Sequence, residues 1–371
     1  MKTPALQFRA GSRAAARIRK HGLRADDVRV FAGASGGPKW FILSPLDQVV
    51  FPWLSDRSSA AGALFLIGTS AGAWRMAAFA RRDPVAAIRR FEEGYLAYRW
   101  HPRDSPRKVS DDSRRVLDRV LAGDAAAEIL GHPFKRLGVL VDRSRGLAAS
   151  DGRLRLALAL IMAVGVNRLG RRGLGLFFER LLFSDPRDPP PFADIAGFRL
   201  RQLALTADNL GAALMGSGSI PWSMAAERDI PGAPPGYYRD GGVLDYHLDI
   251  PFLGNRNGDG DGDSAKGIVL YPHFYPSITP GWFDKNIRRR QATAGHFDDV
   301  LLLCPSPAFV AGLPYGKIPD RRDFGTMADR QRLTYWRTAI AEAARLADDF
   351  TDCLEKQDIA DRLMPLDLGR R

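Results

Sequence analysis

Residues 63–81 read ALFLIGTSAGAWRMAAFAR and combine the signals of one structural unit. The apolar run at 63–67 has the length and composition of a buried strand. Gly68–Gly72 is a tight turn of small residues, and the Ala- and Met-rich stretch Ala73–Arg81 predicts a helix. This stretch therefore predicts a strand that turns sharply into a helix.

The same order of elements occurs upstream, in residues 28–51 (VRVFAGASGGPKWFILSPLDQVVF). A β-rich run ends at Gly33, and a glycine-rich turn leads into a predicted helix with Pro38 in its first turn. Repeated strand–turn–helix units are typical of a parallel sheet covered by helices. The sequence therefore predicts an α/β fold.

The rest of the chain continues this alternation. Apolar patterns predict further helices at 85–130 and 325–357, and strands at 137–141, 200–206, 268–271 and 300–304. Residues 151–183 mix apolar stretches with arginines, which fits either a pair of core helices or an amphipathic cap that forms a pocket or touches lipid.

Three regions are predicted along the chain. Residues 1–27 carry an N-terminal helix, Ser12 to His21, which is ended by Gly22. Residues 28–310 form the main domain, in which 151–190 are a candidate helical cap, and residues 311–371 are a helical extension packed on the same domain.

The composition narrows the class of protein. The chain has 371 residues, with 54 Lys+Arg against 42 Asp+Glu, giving a net charge of +12. This charge favours contact with polyanions such as an anionic membrane, or simply a basic surface. It is spread along the chain, densest at Arg171–Arg172 and Arg288–Arg290, and a nucleic-acid role is not expected on charge alone.

Cysteine content and hydropathy indicate the compartment. Two cysteines, Cys304 and Cys353, make neither a disulfide framework nor a zinc site, and Cys304 is predicted to lie in a buried strand. The longest apolar run, Leu156–Val166, is 11 residues long and too short to span a bilayer. A cytoplasmic protein is expected, with peripheral membrane contact left open and the oligomeric state undetermined.

The segment Asn257–Asp263 (NGDGDGD) has the residue types of a calcium loop. It lacks the glutamate that closes such loops, so a surface loop is the favoured interpretation.

Gly68-Thr69-Ser70-Ala71-Gly72 fits the pattern G-x-S-x-G. A serine on a sharp strand-to-helix turn has its Oγ exposed, and the small flanking residues allow the bend. The N–H groups at the start of the next helix favour developing negative charge. Ser70 is therefore the candidate nucleophile.

A nucleophilic serine needs a base, and the sequence offers two kinds. A Ser-Asp-His triad would use His247 or His273, although neither lies in a convincing histidine loop. Asp240, followed by Gly241 and Gly242, could instead accept the serine proton directly if burial raises its pKa. Taken alone, Asp-Gly-Gly is equally typical of a β-turn.

The glycine-rich turn at Gly33–Trp40 (GASGGPKW) could bind the developing oxyanion through backbone N–H groups. Pro38 has no N–H, so the candidate donors are Gly36, Gly37 and Lys39, together with Ala71 after the serine. A phosphate-binding turn is the alternative, but the spacing matches neither G-x-G-x-x-G nor the P-loop.

Together, the motifs resemble the patatin-like phospholipases, with which they share order and residue types. The glycine-rich loop, the Gly68–Gly72 motif and Asp240-Gly241-Gly242 stand in the family's order, and Met215–Pro221 (MGSGSIP) is similar to its small-residue segment before the aspartate. The resemblance covers about Val28 to Phe252. Ser35 and Trp40 depart from the family's loop glycines, and Trp40 is expected to crowd the loop or line the acyl pocket.

The resemblance implies a three-layer α/β/α fold and a Ser70–Asp240 dyad that works without histidine, metal or cofactor. It also implies hydrolysis of fatty acyl esters through an acyl-enzyme, with a phospholipid, another lipid or a soluble acyl ester as substrate. Two alternatives remain: an esterase with a histidine triad, and a catalytically inert, basic, membrane-peripheral binding protein. Arg239 is expected to point away from Asp240, since a nearby cation would lower the pKa of the base.

Overall fold

The computed structural model describes residues 3–101, 103–195, 197–254 and 267–368. These residues form one mixed sheet of eleven strands. The strands are β1 (Leu6–Ala10), β2 (Val28–Gly33), β3 (Leu64–Gly68), β4 (Lys135–Ser144), β5 (Phe178–Ser184), β6 (Leu200–Ala204), β7 (Glu227–Arg228), β8 (Tyr237–Asp240), β9 (Ile268–Pro272), β10 (Val300–Pro305) and β11 (Leu363–Pro365).

The sheet is mostly parallel. Its order is β11-β1-β10-β9-β2-β3-β4-β5-β6, and the run from β10 to β4 is entirely parallel. Strands β1 and β5 join this run in the antiparallel direction. The prediction of an α/β fold with a central, mostly parallel sheet is confirmed.

Helices cover the sheet in a three-layer α/β/α arrangement. They are α1 (Ser12–His21), α2 (Ser44–Ser55), α3 (Ala71–Phe79), α4 (Pro84–Ala97), α5 (Pro106–Val120), α6 (Ala125–Leu130), α7 (Arg153–Leu169), α8 (Ala207–Gly218), α9 (Pro307–Gly312), α10 (Asp323–Thr326) and α11 (Asp329–Lys356). Helices α2, α4 and α11 pack together, and a fully buried ion pair between Asp47 and Arg75 (2.6 Å) joins α2 to α3.

The end of β3 determines where the site lies. Gly68, the last residue of β3, is paired with Val139 of β4. Two residues further along β4, Val141 is paired with Asp240 of β8. Strand β8 therefore pairs with β4 just beyond the point where β3 ends. This brings the residues that follow β3 close to the end of β8.

Several predicted boundaries hold, and others are wrong. The helix Ser12–His21 with Gly22 at its end is confirmed, and so is Cys304 as a buried strand residue of β10. Within 151–183, only α7 is a long helix; residues 171–176 form a short 3-10 helix and 178–184 form strand β5. The two terminal regions predicted as helical also contribute strands. The N-terminal region forms β1, and the C-terminal region forms the edge strand β11 beside it.

Two sequence observations concern membranes and metals. None of the helices formed by the described residues is long and apolar enough to cross a membrane. The acidic segment Asn257–Asp263 lies outside the described residues.

Candidate active site

Ser70 lies at the turn between β3 and α3. It caps α3 with φ 54° and ψ −130°, a backbone conformation that residues other than glycine rarely adopt. The turn is tight because glycines flank it: a Cβ on Gly68 would lie 2.6 Å from the nitrogen of Ala73, and one on Gly72 would lie 2.1 Å from the carbonyl oxygen of Gly33. Only hydrogen fits at these two positions.

Asp240, at the end of β8, faces Ser70. The Ser70 hydroxyl donates to Asp240 Oδ2 at 2.8 Å, and the N–H of Gly242 donates to Oδ1 at 2.7 Å. Both residues are buried, with 5% of Ser70 and 6% of Asp240 exposed. Burial is the main cause that raises the pKa of Asp240 to about 6, while its hydrogen bonds from Ser70 and Gly242 oppose this rise.

The two glycines after Asp240 permit this close approach. A Cβ on Gly241 would lie 2.3 Å from the Leu140 carbonyl oxygen, and one on Gly242 would lie 2.5 Å from Ser35 Oγ. Side chains at either position would push the aspartate loop away from β4 or from the glycine-rich loop.

The small-residue segment Met215–Pro221 contacts the backbones of both Ser70 and Asp240. Ser217 Oγ accepts the backbone N–H of Ser70 at 2.9 Å and donates to the Leu140 carbonyl at 2.7 Å. The Ser219 carbonyl accepts the N–H of Asp240 at 2.9 Å. The end of α8 thus fixes the backbones of the serine and the aspartate relative to each other.

A buried ion pair ties the aspartate loop to the serine turn. Asp245 receives two hydrogen bonds from Arg180 on β5, at 2.6 and 2.7 Å. Its carbonyl oxygen accepts the hydroxyl of Thr69 at 3.1 Å, directly beside Ser70. Such paired geometry in a buried place restricts the relative movement of the two segments.

The predicted oxyanion donors divide into two groups. In the described part of the chain, the N–H groups of Gly36, Gly37 and Ala71 have no protein acceptor, and all three residues line a cavity together with Ser70. Lys39 differs, because its N–H donates to the Gly36 carbonyl at 3.4 Å. For Lys39 the prediction of a backbone donor is not supported, and its side chain reaches the cavity instead.

The two departures in the glycine-rich loop are accommodated. Trp40 is buried and stacks on Phe91, with ring centroids 4.1 Å apart and nearly parallel planes. It lines neither cavity at Ser70, so the expectation that it would line the pocket is wrong. Ser35 lies in the wall beside Gly242, and its N–H donates to the Tyr246 carbonyl at 3.0 Å.

The geometry favours Asp240 over histidine as the base. Among the described residues, Asp240 is the side chain that accepts the Ser70 hydroxyl. His247 lies in the cavity wall, but its Nδ1 accepts the N–H of Thr279 at 2.9 Å and its ring stacks on Tyr246. His273 is fully buried and its Nδ1 bonds the backbone of Tyr275.

Arg239 precedes Asp240 in the sequence, but its side chain has other partners. It donates to the Met224 carbonyl at 2.7 Å and pairs with Asp151 at 2.5 Å. Successive residues of a strand point to opposite faces, so its guanidinium lies on the other side of β8 from Ser70. The prediction that Arg239 points away from the site is confirmed.

Two cavities meet at Ser70. The first, of about 290 Å³, has mainly apolar and aromatic walls. Its apolar lining comprises Ala71, Trp74, Tyr95, Tyr98, Trp100, Val109, Val116, Ile220, Met224 and Phe324. The second, of about 640 Å³, contains Asp240 and is more polar. Gly37 and Ser70 belong to both walls, so a bound molecule could extend from the serine into both cavities.

Three cationic residues of the site were not predicted from the sequence. Lys285, Arg321 and Arg322 line the second cavity together with Lys39. They follow the region that resembles a known family, and no local motif marks them. The fold brings them to the site from segments 45 or more residues beyond Asp240 in the chain.

Comparison with known proteins adds no family assignment. No protein-family model matches the chain, and no curated protein matches it. The similarity to patatin-like phospholipases therefore rests on the motifs described above and on their arrangement around Ser70.

Proposed function

We propose that this protein is a serine acyl hydrolase that cleaves fatty acyl esters through Ser70 and Asp240. The observation that carries the proposal is the 2.8 Å hydrogen bond from the Ser70 hydroxyl to a buried carboxylate at the junction of two cavities. A carboxyl with a pKa near 6 is largely ionised at neutral pH yet basic enough to accept a proton. The arrangement of the patatin-like motifs supports the same assignment.

In the first step, Ser70 Oγ attacks the ester carbonyl carbon while Asp240 accepts the hydroxyl proton. The carbonyl oxygen becomes an oxyanion, and the N–H groups of Gly36, Gly37 and Ala71 donate to it. When the intermediate collapses, the bond to the alcohol oxygen breaks and Asp240 returns its proton to that oxygen. Free alcohol and an acyl-serine result.

In the second step, water releases the acyl group. Asp240 takes a proton from the water, whose oxygen attacks the acyl carbonyl, and the same N–H donors stabilise the second oxyanion. Collapse breaks the bond to Ser70 Oγ, which recovers the proton from Asp240. A fatty acid leaves and the enzyme returns to its starting state.

The first cavity supports a long acyl chain as the group transferred. Its aromatic and aliphatic walls offer an apolar environment that begins at Ser70, and each buried methylene contributes about 0.8 kcal/mol. Apolar and aromatic side chains outnumber the polar ones in this wall, which besides Ser70 are Ser113, Ser223, Arg321 and Arg322, so an apolar acyl chain fits it better than a polar group does. The proposed substrates are therefore lipids or other long-chain acyl esters.

A fluorophosphonate probe tests the proposal directly, because it reacts with serines that are activated as nucleophiles. We expect one adduct per native chain by intact mass, located on Ser70 by peptide mapping. Heat-denatured protein is the control and should remain unlabelled. Absence of an adduct on the native protein would favour a binding protein with an inert hydrolase fold.

The exposed apolar surface of helix α7 supports the proposal that the protein binds its substrate at a membrane. Its inner side packs with Val243 and Leu244 in a small core next to Asp240, and Leu160 lines the second cavity. Its outer side exposes large apolar side chains to solvent. These are Leu154 (89% exposed), Leu158, Ile161 (70%), Met162, Val164 and Leu169 (91%), and we call them the α7 face.

Charge around the α7 face suits an anionic bilayer. No acidic residue occurs between Asp151 and Glu179, whereas five arginines do. Exposed Trp222 and Trp282 line the neighbouring cavity, and such aromatic residues favour the membrane interface. A second copy of the chain would bring the same arginines together and repel, so we assign this surface to anionic lipid.

The variant Ile161→Asp tests this assignment. Burying an isoleucine side chain contributes about 1.5–3 kcal/mol, so we expect vesicle affinity to fall by about tenfold or more. The measurement is co-sedimentation with phosphatidylglycerol-containing vesicles. Met364→Asp is the matched control. Met364 is also exposed, but it lies on β11, the edge strand at the end of the sheet opposite to β5 and β6.

Equal binding of wild type and Ile161→Asp would contradict the assignment. If the substitution instead converted a dimer to a monomer without changing vesicle binding, the α7 face would be a self-association surface.

A further inference from the structure

We propose that Tyr95 is a further catalytic residue, whose hydroxyl donates a hydrogen bond to the oxyanion that forms when Ser70 attacks the ester. This inference rests on the proposed function and adds a side-chain donor to the backbone N–H groups of the glycine-rich loop. A donor that is already in place where negative charge develops stabilises the tetrahedral intermediate.

The Tyr95 hydroxyl lies against the glycine-rich loop, in the wall of the first cavity. Its oxygen is 3.7 Å from the position that a Cβ on Gly37 would occupy. Tyr95 lines this cavity together with Gly37, Ser70 and Ala71, so it shares one space with the nucleophile and with two of the residues that supply backbone donors. An oxyanion bound to the N–H of Gly37 therefore comes close to the phenol.

The hydroxyl of Tyr95 is available as a donor. In the part of the chain that the structure describes, it forms no hydrogen bond, and the residue is partly open to the cavity. Burial raises the pKa of the Tyr95 phenol, an effect that Arg321 opposes and Asp240 reinforces. The phenol therefore keeps its proton at neutral pH and can donate it in a hydrogen bond.

Aromatic packing fixes the Tyr95 ring relative to the loop. The ring centroids of Trp40 and Phe41 lie 6.3 and 5.3 Å from that of Tyr95, both in edge-to-face contact. These two residues follow Lys39 directly, so the segment that carries the backbone donors also holds the phenol. Phe91, one turn earlier on α4, lies 5.9 Å away. A donor positioned in this way needs little rearrangement when the oxyanion forms.

Trp40 gains a role from this packing. It stands where the patatin-like loop has a glycine, and its stack on Phe91 joins the loop to α4, the helix that carries Tyr95. The side-chain donor thus accompanies a departure from the family's loop rather than one of its motifs.

The phenol acts through hydrogen bonding and transfers no proton. As Ser70 Oγ bonds to the carbonyl carbon, the π electrons of the C=O bond move to its oxygen and Asp240 takes the serine proton. The Tyr95 O–H donates to that oxygen and keeps its own proton. When the C=O bond forms again, the charge leaves the oxygen and the hydrogen bond weakens. The hydroxyl therefore stabilises the transition state more than the bound ester.

Tyr95→Phe tests the inference, because it removes the hydroxyl and keeps the ring. Loss of one oxyanion donor costs about 100- to 1000-fold in kcat, and since backbone donors remain here we expect a fall of at least about tenfold. The substrate is p-nitrophenyl octanoate, and KM should hardly change. A role as part of the cavity wall alone would leave both constants at their wild-type values.

Tyr315→Phe is the matched control for removal of a phenol hydroxyl. Tyr315 is exposed, lines neither cavity at Ser70, and accepts a hydrogen bond from Gln331 at 2.9 Å. This variant should keep the wild-type kcat and KM.

A pair of ketones gives a readout that needs no turnover. Ser70 Oγ adds to the carbonyl carbon of 1,1,1-trifluoro-2-decanone and leaves negative charge on its oxygen, whereas 2-decanone binds without this addition. We expect Tyr95→Phe to weaken inhibition by the trifluoromethyl ketone about as much as it lowers kcat. Inhibition by 2-decanone should be unchanged.

Equal kcat for wild type and Tyr95→Phe, with the ester hydrolysed by both, would overturn the inference and leave the proposed function standing. A rise in KM alone, or equal weakening of both ketones, would also overturn it, because Tyr95 would then act in binding. If the wild type neither hydrolyses the ester nor reacts with the fluorophosphonate probe, the proposed function fails and this inference fails with it.

Discussion

Asp240→Asn is expected to lower kcat for ester hydrolysis by about 100- to 10,000-fold, the usual contribution of a general base. Asparagine has the same shape and its carbonyl oxygen can still accept the N–H of Gly242, which bonds Asp240 at 2.7 Å. Its amide cannot take the proton of the Ser70 hydroxyl. The change therefore removes the base and leaves the turn intact, and steady-state kinetics on a neutral ester measure the loss.

The pH profile separates this role from a structural one. Burial raises the pKa of Asp240 to about 6, so wild-type kcat/KM should fall about tenfold per pH unit below that value, as the base becomes protonated. A neutral ester is required, because a phosphate monoester itself titrates near pH 6. Asp240→Asn should lack this acidic limb.

Stability should move in the opposite direction from activity. The pKa of Asp240 is higher in the folded chain than the unfolded value of about 3.9, so its ionised form costs stability above about pH 6 and not below the unfolded pKa. Asp240→Asn should then melt no lower than wild type at pH 8. Normal kcat in Asp240→Asn, with loss in His247→Gln, would instead identify His247 as the base.

The sequence was sufficient to single out Ser70 and Asp240 because the signals that mark them are local. An apolar strand, a Gly-flanked serine and a helix follow one another within residues 63–81, and the structure forms them as β3, the turn and α3. Asp240 was found in the same way, from its two glycines. The contact between them was not visible locally, since it depends on β8 pairing with β4 beyond the end of β3.

Other parts of the fold had no local signal. Residues 178–183 are buried although Glu179 and Arg180 interrupt their apolar run, so this short pattern does not distinguish a strand from a core helix. Strand β1 is defined by partners at 301–305 and 363–365, far away in the chain. The cations Lys285 and Arg321 become site residues only through tertiary packing.

Gly72→Ala is expected to damage both stability and activity. A Cβ there would lie 2.1 Å from the oxygen and 2.3 Å from the carbon of the Gly33 carbonyl, which are backbone atoms at the end of β2. That oxygen also accepts the N–H of Thr69 at 3.3 Å. The methyl group must therefore separate the serine turn from the glycine-rich loop, and overpacking of this kind costs about 1–3 kcal/mol or more.

Activity should fall further than stability alone explains. Gly33 leads directly into the loop that carries Gly36 and Gly37, and a displacement of about 1 Å at such a place can cost about 100-fold in rate. We expect Gly72→Ala to lose at least that much kcat at temperatures where circular dichroism shows the chain still folded, and to melt at a lower temperature.

Gly211→Ala supplies the control for glycine replacement itself. Gly211 lies within α8, and the nearest atom to its Cβ would be Leu121 Cδ1 at 3.9 Å, an ordinary contact. Alanine is favoured over glycine in a helix by about 0.5–1 kcal/mol, so this variant should be as stable as wild type or more so. Equal stability and activity of Gly72→Ala and Gly211→Ala would contradict this prediction. The close contact between Gly72 and Gly33 would then not be what holds Ser70 against the glycine-rich loop.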